Sequence, residues 1–517
     1  MNNSKKYSKR QAIGLFLGIF LFFSILFLPT PNGMKIEAQR MAAIAFLMAI
    51  WWITETMPIA VTALLPLPLY PLLGVMDSSK VAPNYTDHLV FLFLGGFIIA
   101  LAMEKWGLHK RIALYTMRFI GSSPKKLILG FMIATAFISM WISNTATAMM
   151  MLPIAMAVVN QLSEKREDSN LIKMNFGLVM MLAIAYGANI GGVGTLIGTP
   201  PNIIFAGFAK KLYPSAPEVG FLQWMLVGVP VILIFLPLAW FYLCNFVPSV
   251  KFKDLNLFQG GSVIDEQIKS LGKMNKGEKY VWIIFVLTAL LWIFRAPMNL
   301  GSFEIPGWSS LFGKREFISD ATVAIFMGLL LFLIPIKIGD KSGKKMVFLM
   351  DWDTAEDKIP WGILLLFGGG FALASGMEQT ELAKWIGIKL HFLGKMPLLG
   401  MIFSLCIFST FLSEITSNTA MAMMMMPILG PAAVGLGFHP FLLMIPATLS
   451  NSCAFMMPCG TPPNAIVFGS GWVTIPKMAK AGFFLNLLGA LVITLVVYFI
   501  AIPVFGIDLS QMPLWAR

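Results

Sequence analysis

The chain has 517 residues, 57% of them hydrophobic and 12% charged, with a mean hydropathy of +0.79. Soluble domains carry roughly 25% charged residues, so this composition excludes a water-soluble enzyme or binding module and points to an integral membrane protein. The formal charge of +13 lies mainly in short polar connectors beside apolar runs, as in cytoplasmic loops, rather than in a nucleic-acid surface.

The first apolar run, 12–28, follows "KKYSKRQ" and lacks a small-residue cleavage site, so it reads as a retained first helix rather than a signal peptide. Further runs predict helices near 40–56, 58–75, 88–104, 173–188, 220–247, 279–295, 320–337, 360–377, 441–456 and 480–504, about eleven spans in all. Two more apolar stretches, 125–160 and 398–437, are each split by Ser-Asn-Thr and read as re-entrant helical hairpins. The predicted fold is an all-α polytopic membrane protein. With the basic N-terminus cytoplasmic, the loop 248–278 and the loop holding Lys337, Lys341, Lys344 and Lys345 also fall inside, in accord with the positive-inside rule, and the C-terminus lies outside.

"SNTATAMMMLPIA" at Ser143 returns as "SNTAMAMMMMPIL" at Ser417. The same offset of 274 carries Gly95, Gly96 and Phe97 onto Gly369, Gly370 and Phe371, Ser139 onto Ser413, and Pro153 onto Pro427. The equivalent helices lie an odd number of crossings apart, so the two halves form an inverted repeat. Segments 105–120 and 379–395 hold matching places after those helices. They read either as helices in the two opposite interfaces or as ordinary amphipathic connectors.

A second motif follows each triplet: "GANIGGVGTLIGTPPN" ending at Asn202 and "CAFMMPCGTPPN" ending at Asn464. Gly and paired Pro break a helix, and hydrocarbon cannot satisfy the backbone groups so freed. Four breaks, at 143–145, 198–202, 417–419 and 460–464, therefore predict discontinuous helices around a binding site near the midplane. Ser and Thr hydroxyls, Asn amides and helix N-termini suit a carboxylate, and freed carbonyls suit a hard cation such as sodium. One Ser-Asn-Thr alone is more often an interhelical hydrogen-bond device; two copies in inverted repeats favour a ligand site. The Met runs 149–151 and 423–426 read as packing, and "GGVGTLIGT" lacks the Lys of a phosphate loop.

Glu55, Glu104, Glu378 and Glu414 stand in or at the ends of apolar segments, where an ionisable side chain is a functional hypothesis. Glu104 and Glu378 suit helix ends, whereas Glu414, next to Ser413, suits a structural or coupling role. Cys244, Cys406, Cys453 and Cys459 lie in apolar stretches without metal spacing and read as packing residues.

From "WWITETMPIAVTALLPLPLYPLLGV" at Trp51 to "TPPNAIVFGSG" at Thr461, the chain resembles the divalent anion/sodium symporter family of di- and tricarboxylate transporters. The resemblance implies that substrate carboxylates meet Ser143, Asn144, Thr145, Thr199, Ser417, Asn418, Thr419, Thr461 and Pro462. It implies one sodium site from Ser139, Ser143, Asn144 and Gly198, and another from Ser413, Thr416, Asn418 and Gly460, with no cofactor beyond sodium as coupling ion. It also implies a plasma-membrane homodimer working as an elevator. Residues 1–120 and 279–396 would be scaffold with the interfacial arms, 121–247 and 397–517 the two halves of a transport domain, and 248–278 a cytoplasmic loop.

The family holds sodium symporters and anion exchangers. No Lys, Arg or His lies within the four breaks, which favours sodium, although Lys110, Arg111, Lys210 or Lys384 reaching inward would replace it. A sulfate or other inorganic-anion carrier shares the architecture. An intramembrane enzyme would need a nucleophile or metal motif, and no H-E-x-x-H is present; a channel would not need two enclosed half-sites.

Overall fold

A computed structural model describes residues 7–161, 169–248, 260–299, 304–340, 343–390 and 396–516. Among them, seven helices are long and apolar enough to cross a membrane: Lys9–Phe27, Ile36–Thr54, the Ser78–Lys105 stretch, Met174–Gly192, Phe221–Asn245, Trp361–Gln379 and the Ile475–Val504 stretch. The remaining apolar elements are shorter or broken. The run 58–75 is not one helix: Pro58 precedes Ile59–Thr62 and Pro66 opens Pro66–Leu72, because a proline removes a backbone donor and disfavours helix in the residue before it.

Both hairpins form where the triplets predict them. Pro124–Ser139 returns through Asn144–Gln161, and Leu398–Ser413 returns through Asn418–Gly435. Of the two interfacial segments, the first is a helix, Leu108–Ile120, packed on the outgoing arm of the first hairpin. The second is the helix Leu382–Leu390, packed on the returning arm of the second, and residues 391–395 lie outside the described set.

Two polar connectors carry more structure than their composition suggested. Part of the loop 248–278 is an amphipathic helix, Gly260–Leu271, whose Val263, Ile264 and Ile268 are buried against Leu108–Ile120 and the first hairpin. The basic connector after the helix Asp320–Leu333 is an antiparallel β-hairpin, Pro335–Asp340 with Gly343–Phe348, in which Lys337 is opposite Met346. Short-range charge content hid both, since apolar periodicity in these segments covers only one narrow face.

The two membrane faces are distinguishable. Tyr7 Oη and Gln11 Nε2 donate to the carbonyls of Thr56 and Glu55, so the N-terminal segment meets the end of the second helix at one face. Lys105 pairs with Asp351 at that face, and this hydrogen-bonded ammonium holds the Asp351 carboxyl down to about 2. We call this the N-terminal face and the other the far face.

Glycines permit the closest helix crossings. A Cβ on Gly95 would stand 2.5 Å from the backbone carbonyl carbon of Ala324, and one on Gly369 would stand 2.3 Å from the Ala63 carbonyl oxygen. On Gly96 it would meet only the Ile197 side chain at 3.4 Å. Gly95→Val is therefore expected to destabilise the detergent-purified protein by about 1–3 kcal/mol through forced backbone separation. Gly96→Ala is expected to be near neutral; thermal unfolding compares the two.

Candidate functional site

The four sequence breaks converge on one cavity of about 810 Å³. Helices begin there at Asn144, Pro200, Asn418 and Pro462, so the positive ends of four helix dipoles surround one space. The two Thr-Pro-Pro-Asn motifs share the backbone geometry of their starts, although only Thr461 caps with its side chain, accepting from the Asn464 N–H. Thr199 and Thr461 occupy the cap with φ/ψ of −146°/144° and −142°/150°. The two prolines fill the first helical positions, where an N–H would lack a partner anyway.

The asparagine that ends each motif closes the break behind it. Asn202 Nδ2 donates to the carbonyls of Gly192 at 3.1 Å and Thr195 at 2.7 Å. Asn464 Nδ2 donates to those of Ala454 and Met457, both at 3.0 Å. These acceptors correspond in the two repeats, so one amide satisfies two carbonyls that the broken helix leaves free.

The triplets are fixed from behind by a second repeated bond. Ser139 Oγ donates to Asn144 Oδ1 at 2.6 Å, and Ser413 Oγ donates to Asn418 Oδ1 at 2.6 Å. Each bond engages the amide oxygen and leaves the Nδ2 hydrogens for the cavity side. A Cβ on Gly192 would lie 2.6 Å from Asn144 Oδ1, so only glycine lets that amide seat against the unwound segment.

Of the residues expected to meet ligands, Ser143, Asn144, Thr145, Gly198, Thr199, Ser417, Asn418, Thr419, Gly460, Thr461 and Pro462 all line the cavity. Ser139, Ser413 and Thr416 do not; they are buried immediately behind it, and Thr416 Oγ1 donates to the Leu412 carbonyl. The lining also includes the apolar residues Phe93, Phe97, Leu101, Pro360 and Ile363, of which only Phe97 fell in a repeated motif.

The family described as the sodium:sulfate symporter transmembrane region matches residues 9–507. The chain belongs to that family. It is 44% identical over 512 residues to the sodium-dependent dicarboxylate transporter SdcS of Staphylococcus saprophyticus, covering 98% of this chain and 95% of that one. It is likewise 44% identical to SdcS of Staphylococcus aureus over 98% of this chain and 94% of the relative. In fold it is similar to the YdaH transporter of Alcanivorax borkumensis, with TM-score 0.56 at 14% identity over 88% of this chain and 98% of the other. MtrF of Neisseria gonorrhoeae gives TM-score 0.55 at 13% identity over 96% and 97% of the two chains. The resemblance read from the motifs is borne out.

In this chain, the rim of the cavity carries Glu55, Glu104 and Lys358, at the N-terminal face. Lys358 Nζ pairs with Glu104 Oε1 at 2.9 Å, which gives Glu104 a place in the vestibule as well as at a helix end. The cations considered as internal countercharge are elsewhere. Arg111 forms a fork on buried Glu278, with Nη2 3.0 Å from Oε2, and Lys210 donates to the Pro214 carbonyl. Lys110 and Lys384 are also absent from the lining. Cys459 departs from the packing expectation: it is exposed and lines the cavity, whereas Cys244, Cys406 and Cys453 are buried.

Two buried polar residues emerge that the motif reading left unassigned or unnoticed. Glu414 is 3% exposed, and its carboxylate accepts from the consecutive backbone N–H groups of Phe455, Met456 and Met457, at 2.6, 2.8 and 3.0 Å, and from Asn486 Nδ2 at 2.8 Å. It thereby holds the second unwound segment in shape. Its place in the first repeat is taken by Met140, so this clamp is asymmetric. Asn189 Nδ2 reaches across the repeats to Thr461 Oγ1 at 2.9 Å. An Asn at the corresponding place, Asn451, was the available sequence signal.

Asn464→Ala would strand two buried carbonyls, at a cost of about 1–3 kcal/mol. Glu414→Ala would strand four donors and is expected to lower thermal stability further than Asn464→Ala, with Glu414→Gln between them; thermal unfolding in detergent gives the order.

Proposed function

We propose that this protein is a secondary transporter of C4–C6 di- and tricarboxylates such as succinate, malate, fumarate and 2-oxoglutarate, coupled to sodium. The observation that carries the reading is the paired, uncharged floor of one cavity: two triplets and two unwound segments, each with a helix start facing the same space. Carboxylate oxygens would accept from the amides of Asn144 and Asn418, the hydroxyls of Thr145, Thr199, Thr419 and Thr461, and the backbone N–H groups at the starts of the two triplet helices. The name carried by the Staphylococcus relatives, sodium-dependent dicarboxylate transporter, supports the same substrate class and ion.

Sodium answers the charge problem. A dianion removed from water needs countercharge, and the one cation on the cavity lining among the described residues is Lys358, at the rim and already paired. Ser139 Oγ with Asn144 Oδ1, and Ser413 Oγ with Asn418 Oδ1, offer oxygen pairs beside the anion floor. Joined by Ser143 and the Gly198 carbonyl on one side, and by Thr416 and the Gly460 carbonyl on the other, they form two all-oxygen sets suited to a hard cation. Sodium bound there neutralises the substrate and is carried with it, which makes symport the favoured coupling over exchange.

Transport follows if the hairpins move as one bundle with helices Ser169–Gly192, Phe221–Asn245, Phe441–Asn451 and Ile475–Val496. The remaining long helices stay fixed around a homodimer contact, and the helices Leu108–Ile120 and Leu382–Leu390 act as arms. In this reading the N-terminal face is cytoplasmic, and the conformation described is open to the cytoplasm. The family's description keeps sulfate as a second reading, decided by competition.

Proteoliposomes carrying the protein are expected to accumulate labelled succinate under an inward sodium gradient. Uptake equal with potassium, or dependent on internal anion, would overturn sodium symport, and inhibition by sulfate stronger than by malate would favour the inorganic-anion reading. Asn144→Ala and Asn418→Ala are each expected to lower uptake at least tenfold, since each removes an amide worth about 1.5–3 kcal/mol toward a charged acceptor. Alkylation of Cys459 by maleimide is expected to slow when sodium and succinate are present together.

A further inference from the structure

Three polar contacts join the proposed bundle to the proposed scaffold at the far face. Lys211, near the end of the helix Pro200–Leu212, lies 3.2 Å from Asp87, the cap of the scaffold helix His88–Lys105. Glu218 lies 3.1 Å from Arg295. The Phe221 N–H, at the start of Phe221–Asn245, donates to Asp320 Oδ2 at 2.9 Å, and the Phe221 ring stacks on Trp292 at 4.4 Å between centroids. The helix His88–Lys105 carries Asp87 at one end and the rim residue Glu104 at the other. Eighteen residues at about 1.5 Å each place these contacts across the membrane from the cavity mouth.

The arrangement is built to open. Asp320 keeps Arg295 at 2.5 Å within the scaffold, and Asp87 keeps the Leu89 N–H at 3.0 Å and the His88 ring nitrogen at 3.2 Å. When the bundle leaves, no scaffold charge is stranded, and the partners released are Lys211 and the half-exposed Glu218. Stranding a buried charge would make the contact nearly permanent; retained internal partners make it reversible.

We propose that Lys211–Asp87, Glu218–Arg295 and Phe221–Asp320 form a far-face latch that holds the cavity open at the N-terminal face and sets the resting balance between the two access states. The proposal rests on the moving-bundle reading above. Without sodium or substrate, the latched state predominates. Loss of one partly exposed ion pair shifts that balance about 2- to 5-fold.

The test uses Cys459 as the reporter in oriented vesicles, with membrane-impermeant maleimide applied from either face. In Lys211→Gln and in Glu218→Gln, labelling from the far face should rise about 2- to 5-fold, and labelling from the N-terminal face should fall. Asp87→Lys with Lys211→Asp should return both rates toward those of the unaltered protein, which a general loss of structure would not. Unchanged labelling in both single variants, with unfolding temperatures equal to the unaltered protein, would overturn the latch. If Cys459 of the unaltered protein is never reached from the far face, even during sodium-driven uptake, the moving-bundle reading falls and the latch with it.

Discussion

Backbone polar groups cannot be left unpaired in hydrocarbon, and that constraint organises this molecule. A continuous helix satisfies them internally, so each of the four breaks creates a local debt of donors and acceptors. The sequence meets it with repeated devices: threonine and paired prolines at the helix start, an asparagine that collects two freed carbonyls, and a serine that fixes the triplet amide. The groups left over are those facing the cavity. The polar floor of the cavity, the proposed ligand site, is thus what remains of the backbone and side-chain polarity after the interior has been satisfied.

The same logic explains why the floor is uncharged. A lysine or arginine placed there would stay desolvated throughout the proposed cycle, whereas in that proposal neutral donors and a sodium ion share the cost only while substrate is present. Charge is instead kept at the two faces: Lys358 with Glu104 at the rim, and Lys211 with Asp87 and Arg295 with Glu218 and Asp320 at the far face. Glu414 is the exception, and it is tolerated because four donors converge on it.

Repeat symmetry is close in the binding machinery and looser around it. The serine–asparagine bonds are both 2.6 Å, and the asparagine clamps use corresponding carbonyls. The supports differ: the Glu414 clamp has no counterpart at Met140, and the two interfacial helices pack on different arms of their hairpins. In the proposed site, two half-sites related by the repeat present equivalent groups to one ligand. Their surroundings face different solvents and neighbours, and are free to diverge.

The sequence by itself determined the membrane class, the hairpins, the inverted repeat and the residues of the cavity floor. Those features are local: an apolar run, a triplet or a Thr-Pro-Pro-Asn break states its backbone consequence within a few residues, and recurrence supplies the rest. Composition could not show that the prolines after residue 57 divide one apolar run into two short helices, or that a basic connector pairs as a β-hairpin. Only the tertiary structure decided which face the cavity opens toward, that Lys110, Arg111, Lys210 and Lys384 stay out of it, and that Cys459 enters it. It also decided what Glu414 and Asn189 hold. Most of these depend on groups brought together from distant parts of the chain, as Arg111 with Glu278 and Asn189 with Thr461 show, and no local pattern encodes such a pairing.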